Sequence, residues 1–344
     1  MLEEKLRNFE PPVDGNPLVE MARGYQESLL LYQAFKTRVF DALADGPKNA
    51  ETVAREIGGV PERVVLVLDA LVALGLVEKR GYTYTNSEVA QTFLSSRSKF
   101  YQGDLLDLQL SPDRRRRWEN VIDWLKGEEV ERNEKPDEVF NPSFIRAMAQ
   151  AALGHKGFKE TILAIANHSS FQSAQRLLDL GGGHGLYAIA LKQLKPELEA
   201  IVFDLPHVEQ VTQEYSRQYN TEVVFVGGDF YKDELPAEQD IVLAFDILYT
   251  VPAQAEKVWT KVYRALKPGS YLFTKHWLLD DTRTRPKRAV LAALDWGHFY
   301  SLQEMKEILT NIGYQIEGST PVGDSTLFIA RKEGTDASGA SSGL

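Results

Sequence analysis

The chain has 344 residues, 43% of them hydrophobic and 26% charged, with a formal net charge of −10 and no cysteine. That length and composition suit a globular protein of two domains, and the missing thiols exclude a disulfide framework, a thiolate metal site and a cysteine nucleophile. The acidic balance argues against general nucleic-acid binding, no apolar run approaches the ~20 residues that span a bilayer, and the opening MLEEKLRNFE lacks the apolar core of a signal peptide, so a cytoplasmic protein is expected.

Residues 24–44 carry Leu29, Leu30, Tyr32, Ala34, Phe35, Val39, Phe40 and Leu43, a helical stripe too wide for a lone surface helix. Asn49 opens a second helix that stops at Gly58-Gly59, and Pro61 opens a third with Val64, Leu68, Leu71 and Leu74 on one face. Leu76 to Thr85 alternates about Arg80-Gly81, as a β-hairpin does, and helices followed by such a hairpin predict a winged helix. Its third helix has Glu62, Arg63 and Asp69 as its only charges, too few cations to read DNA; the apolar surplus suits packing against a second copy, so a homodimer is expected.

Ser111-Pro112-Asp113 starts a further helix whose Arg114 to Arg117 form a solvated or acid-paired face. The stretch from Gly127 to Asn141 is acidic and broken by Pro136, as a connecting loop is, and Phe144–Leu153 and Phe158–Ala166 read as apolar helices. The expected domains are a winged helix over 1–100, a helical connector over 101–165, a catalytic domain over 166–332 and a disordered tail over 333–344.

Within the third of these, Leu177 to Leu180 predicts a buried strand that breaks into three glycines, after which Leu186, Ile189 and Ala190 resume at helical spacing. Such a strand–turn–helix brings backbone close to a polar ligand. Gly183 to Ala188 fits the dinucleotide pattern G-x-G-x-x-G/A, which leaves a nicotinamide or flavin cofactor open. Asp179, at the carboxyl end of the strand, would repel a pyrophosphate and pair with a cationic ligand such as S-adenosylmethionine. A second strand, Ala200 to Phe203, ends at Asp204, where a carboxylate can accept ribose hydroxyls; a third, Val223 to Val226, ends at Gly227-Gly228-Asp229-Phe230, an acid and a ring for a base. Strands over Ile241–Phe245 and Tyr271–Lys275 follow, then a helix over Ser301–Ile312 and an antiparallel hairpin of 314–316 with 326–330. The fold class is α/β, a Rossmann-like doubly wound, mostly parallel sheet with a mainly helical winged-helix domain before it.

With these residues placed, the chain resembles, from Tyr25 to Lys332, the S-adenosylmethionine-dependent methyltransferases that join a winged-helix dimerisation domain to a Rossmann-like domain, among them plant phenolic O-methyltransferases and hydroxyneurosporene methyltransferases. The likeness lies in Leu178 to Gly185, in Phe203-Asp204-Leu205-Pro206-His207-Val208, in Gly228-Asp229-Phe230 and in Ala265-Leu266-Lys267-Pro268-Gly269. It implies that Asp179, Gly181, Gly183 and Gly185 hold the methionine portion of the cofactor, Asp204 with Leu205 the ribose, and Gly228, Asp229 and Phe230 the adenine. Asn141, Met148 and Trp296 are the expected acceptor-side residues.

The departure concerns the base. The family's usual histidine after the fourth strand is replaced by Tyr249, and a lysine just upstream by Phe245, which is kept as a cofactor-side residue. Ile247-Leu248-Tyr249 is similar to the bacteriochlorophyllide C-20 methyltransferase branch, where a tyrosine stands here and the acceptor is carbon. Positioning supplies much of the acceleration in an in-line methyl transfer, so an acidic phenol or an activated carbon could use Tyr249 as hydrogen-bond partner, or as base if its pKa is lowered. His276 and His298 are the other candidates, and no clustered spacing of a metal site is present. The expected function is methyl transfer from S-adenosylmethionine to a small, aromatic or apolar acceptor, with oxygen first and carbon second. A cofactor-binding protein that lost its base, and a nicotinamide oxidoreductase, are the alternatives.

Overall fold

Two compact units divide the chain, residues 1–122 and 123–344. The computed structural model describes residues 7–9, 11–127 and 136–334, so the acidic stretch from Glu128 to Lys135 and the tail from Thr335 onward lie outside the described residues. The expected connector of 101–165 is not one body: the helices Gly103–Leu110 and Pro112–Glu119 belong to the first unit, while Pro142–Leu153 and Lys156–Ala166 belong to the second.

In the first unit the wide apolar stripe forms two helices rather than one, Asn16–Lys36 and Val39–Ala42. The break falls at Thr37-Arg38: Arg38 takes the left-handed conformation at φ 62°, and the Thr37 hydroxyl donates to the Gln33 carbonyl at 2.8 Å, closing the first helix. The Asn49 side chain caps Ala50–Ile57 by accepting from Thr52 N–H, and Gly58 ends that helix in the left-handed region. Pro61–Ala73 buries Val64, Leu68 and Leu71. Strands β1 (Lys48–Asn49), β2 (Val77–Arg80) and β3 (Thr83–Asn86) form an antiparallel sheet in the order β1-β3-β2, which completes the winged helix. Of the four arginines expected on a solvated or acid-paired face, Arg116 pairs with Asp113, whereas Arg114 is buried.

The second unit is a seven-stranded sheet. Its strands are β4 (Arg176–Leu180), β5 (Glu199–Asp204), β6 (Val224–Gly227), β7 (Gln239–Phe245), β8 (Leu266–His276), β9 (Tyr314–Val322) and β10 (Ser325–Lys332), in the order β6-β5-β4-β7-β8-β10-β9. The first five run parallel, and β10 pairs antiparallel with both β8 and β9. Alternate side chains feed two cores: Leu177, Val202, Leu243 and Phe273 on one face, Leu178, Phe203, Val242 and Leu272 on the other. Both faces are covered by helices, which is why the central parallel strands read as largely apolar runs, with Asp179 the buried polar residue in β4. No described helix is long and apolar enough to cross a membrane.

Candidate active site

Chain crossovers diverge at β4, which lies between β5 and β7, and that topology opens a crevice at the carboxyl ends of these strands. The glycine turn lines it. Gly181 has φ +63°, and a Cβ there would sit 2.5 Å from the Ile247 methyl, so a side chain is both strained and blocked. Gly183 N–H donates to Asp204 Oδ2 at 2.8 Å, and its carbonyl accepts from the Thr212 hydroxyl. Gly185 begins the helix Leu186–Leu194, whose Leu186 N–H is taken by His184 Nδ1 at 3.1 Å. Burial pushes the His184 imidazole down to about 3, so it serves this cap as a neutral ring.

Asp179 is the polar centre of the turn. It is 1% exposed, and among the described residues its Oδ2 has no hydrogen-bond partner. Burial pushes its carboxyl up to about 7; the Ala188 N–H opposes this, Asp204 adds repulsion and the Lys275 ammonium relieves part of it. A buried carboxylate oxygen left unpaired beside a glycine turn fits a ligand that brings a cation, such as the ammonium of S-adenosylmethionine. The approach of Gly182 to it is close, since a Cβ there would lie 2.7 Å from the carboxyl carbon.

Asp204 is half-buried. It accepts from Gly183 N–H and from Leu205 N–H, so it braces the turn from the next strand. Gly228 approaches Phe203 so closely that a Cβ would meet the ring at 2.4 Å, and its N–H donates to the Asp204 carbonyl. The Asp229 carboxylate is held locally, accepting from Tyr231 N–H at 2.9 Å and pairing with Lys232 at 2.8 Å. Phe230 packs partly buried, 4.7 Å from the Tyr231 ring.

The residues sequence reasoning missed lie after β7. Lys275 on β8 is the in-register partner of Phe245 on β7. Its ammonium donates to Tyr187 Oη at 2.9 Å, pairs with Asp246 Oδ2 at 3.3 Å and lies 5.5 Å from the Phe245 ring centroid. The cation beside Phe245 is thus carried by the neighbouring strand. Burial works against that charge, but Asp246 and Tyr187 outweigh it and hold the ammonium above its ordinary value. Both strand ends were placed from sequence, and aligning them would have put Lys275 beside Phe245.

Tyr249 donates its hydroxyl to Asp246 Oδ1 at 2.6 Å and stacks on Phe299 with ring centroids 4.5 Å apart. Burial, with the Asp246 charge behind it, pushes the phenol well above 10, opposite to the lowered pKa under which it could act as a base alone. His276 is buried beneath it. The Thr274 hydroxyl donates to the Ala244 carbonyl, so His276 Nε2, 2.6 Å from that hydroxyl, is the donor to it and Nδ1 carries the free lone pair. Burial pushes this imidazole down to about 4. His298 donates its backbone N–H to the Tyr249 carbonyl at 3.3 Å and sets its ring edge-on to Tyr300.

On the remaining wall, Asn141 is exposed and caps the helix Pro142–Leu153 by accepting from Phe144 N–H at 3.1 Å. Met148 on that helix is half-buried, and Ile145 reaches the glycine turn, 3.5 Å from where a Gly183 Cβ would stand. Trp296 ends the helix Lys287–Trp296, and its side chain lies outside the described residues.

A family model described as the O-methyltransferase domain matches residues 128–315, and one described as the O-methyltransferase dimerisation domain matches 19–96. The chain is 29% identical over 335 residues to the tetracenomycin polyketide synthesis 8-O-methyl transferase TcmO of Streptomyces glaucescens, covering 92% of this chain and 96% of that one. It is 30% identical over 304 residues to acetylserotonin O-methyltransferase of Mus musculus molossinus, covering 82% and 77%. The crystal structure of human N-acetylserotonin methyltransferase in complex with SAM superposes with a TM-score of 0.79 at 25% identity, over 94% of this chain and 99% of that one. The chain therefore belongs to the O-methyltransferase family: it carries that family's dimerisation domain and is a methyltransferase that uses S-adenosylmethionine and acts on a small acceptor.

Proposed function

We propose that the enzyme methylates the hydroxyl of a small, largely apolar aromatic acceptor, with the glycine turn and Asp179 holding the cofactor's ammonium end, Asp204 its ribose, and Asp229 with Phe230 its adenine. The observation that carries this reading is the unpaired, buried Asp179 carboxylate oxygen at the turn. When bound, the cofactor supplies a methyl group already activated on a sulfonium. The protein's task is then to orient the acceptor oxygen and to remove its proton. Half-buried Tyr249 and Trp277, with the buried Phe299 stacked behind Tyr249, offer aromatic rings beside the Asp246 loop to a flat acceptor. The names of the relatives, O-methyl transferases of a polyketide and of acetylserotonin, support oxygen as the acceptor atom. Transfer to an activated carbon is the second reading, and Tyr249 in the place of a histidine favours it. A second copy joined through the first unit belongs to the same proposal, in line with the exposed Leu18, Val19, Met21 and Tyr25 of the helix Asn16–Lys36.

Calorimetric titration with S-adenosylhomocysteine, with a nicotinamide dinucleotide as control, tests the cofactor assignment. Binding of the first that is lost in Asp179→Ala is the expected result; binding that survives the substitution would remove Asp179 from the cofactor site. Product analysis of a labelled methyl then separates oxygen from carbon.

A further inference from the structure

Tyr249 does not stand alone at the carboxyl end of β7. Its hydroxyl proton already points at Asp246 Oδ1, 2.6 Å away, and the second Asp246 oxygen faces the Lys275 ammonium at 3.3 Å. Lys275 is fixed in turn by Tyr187 at 2.9 Å. Asp246 holds the left-handed conformation at φ 54°, unusual for a residue with a side chain, and its N–H is tied to the Lys275 carbonyl at 2.8 Å. Backbone kept in such a region tends to mark a functional loop. The same loop abuts the cofactor turn, because Ile247 packs where a Gly181 side chain would be. Among the described residues Tyr249 Oη receives only the long 3.5 Å contact from Trp277 N–H, which leaves it able to accept one strong hydrogen bond.

Resting on the methyl-transfer reading above, we propose that Tyr249, Asp246 and Lys275 form the proton path of this enzyme, with the Asp246 carboxylate as the sink. The acceptor hydroxyl gives its proton to Tyr249 Oη while the Tyr249 proton moves to Asp246 Oδ1. The acceptor oxygen's electron pair forms the new bond to the methyl carbon, and the pair of the breaking carbon–sulfur bond stays on sulfur. Asp246 ends as the carboxylic acid, tyrosine is regenerated, and the proton leaves to solvent from a side chain that is one-third exposed (33%). The raised phenol of Tyr249 fits a relay that never accumulates phenolate. Tyr249 is the catalytic residue of this path, and Asp246 and Lys275 act through it.

The test uses the full-length enzyme with a series of substituted phenols, from phenol itself to a nitrophenol already ionised at the assay pH. Asp246→Asn retains the shape and tolerates the left-handed backbone, and Tyr249→Phe removes only the relay oxygen. Each is expected to lower kcat/KM on phenol by about 10²-fold or more, with the double variant no worse than the single ones. The ratio of nitrophenol to phenol turnover should rise at least ~10-fold, since an ionised acceptor needs no sink. In the protein without cofactor, phenolate absorbance compared against Tyr249→Phe should show Tyr249 ionising at lower pH in Asp246→Asn than in the parent. An equal loss on both phenols, additive losses, or an unmoved Tyr249 titration would overturn the relay. A parent enzyme that binds S-adenosylhomocysteine but methylates none of the phenols overturns it too, whereas failure to bind S-adenosylhomocysteine would instead sink the cofactor assignment.

Discussion

Asp179→Asn separates what the site costs the fold from what it does for the ligand. The rise of the Asp179 carboxyl from its ordinary 3.8 to about 7 corresponds to roughly 4 kcal/mol carried by the ionised group at 1% exposure. The folded state binds this proton more tightly than the unfolded chain does. The group's favourable contribution is therefore fully present below 3.8 and is lost as pH rises through about 7. Above neutrality the empty enzyme carries the whole cost, and the uncharged amide should relieve about 1–2 kcal/mol of it, less than all because its N–H₂ is left without an acceptor. At ~2–4 °C per kcal/mol for a unit of this size, the melting temperature of Asp179→Asn should exceed the parent's by several degrees in alkaline buffer, and the gap should narrow as pH falls. Binding should move the other way. Removing one partner of a buried ion pair costs about 3 kcal/mol or more, over a hundredfold in the Kd for S-adenosylhomocysteine. In the parent, a bound ammonium lowers the Asp179 pKa, so affinity should fall about tenfold per pH unit below about 7 and level off above it. Scanning calorimetry and titration calorimetry at matched pH measure both. An Asp179→Asn protein that melts lower than the parent and binds as well would refute the reasoning and make Asp179 a scaffold residue.

Gly181→Ala should destabilise the second unit by about 1–2 kcal/mol through its left-handed backbone alone and weaken S-adenosylhomocysteine binding further by displacing Ile247; thermal melts and calorimetry would reveal an unaffected variant. Leu18→Glu with Met21→Glu changes two side chains that are each 73% exposed, so sedimentation should report a shift from dimer to monomer with little change in melting of the catalytic unit. Because burial keeps His276 near 4, its ring stays neutral across the working range, and His276→Asn should remove no limb of the pH–rate profile near neutrality. A lost limb would return the base role to that histidine.

Much of the architecture could be read from residues whose signal is local. Ala200–Phe203 and Ile241–Phe245 are unbroken apolar runs, and Leu177–Leu180 is one interrupted only by Asp179, because both faces of the sheet are covered; the glycine turn follows directly from the chain. The antiparallel end was read too short. β9 runs from Tyr314 to Val322, but Gly318 and Pro321 look like the end of a strand; they are tolerated because β9 is the edge of the sheet, where a missing N–H leaves no central ladder broken. Nothing in the helical stripe of 24–44 marked the break at Arg38, since a left-handed arginine has no compositional signature. The Asp246–Lys275 pair escaped for a different reason: its members lie 29 positions apart on neighbouring strand ends and meet only through sheet register.

That register sets where the cation of the site stands. Phe245 and Lys275 are cross-strand neighbours about one strand spacing apart, ~4.8 Å, so the ammonium beside Phe245 comes from β8. The ammonium on β8 and the Tyr249 phenol each hold one oxygen of the Asp246 carboxylate. A tyrosine by itself is too weak an acid to yield a useful base at neutral pH, and in this site it is weaker still. With a carboxylate behind it, the same side chain can give up one proton as it receives another, and the cost of forming phenolate is avoided. Lys275→Met should therefore leave Tyr249 in place yet release Asp246, lowering kcat/KM on phenol more than on the pre-ionised nitrophenol. Lys275→Arg, which keeps the cation, should recover part of the loss. Equal effects on both phenols, with no recovery by arginine, would mean that the lysine only supports the fold.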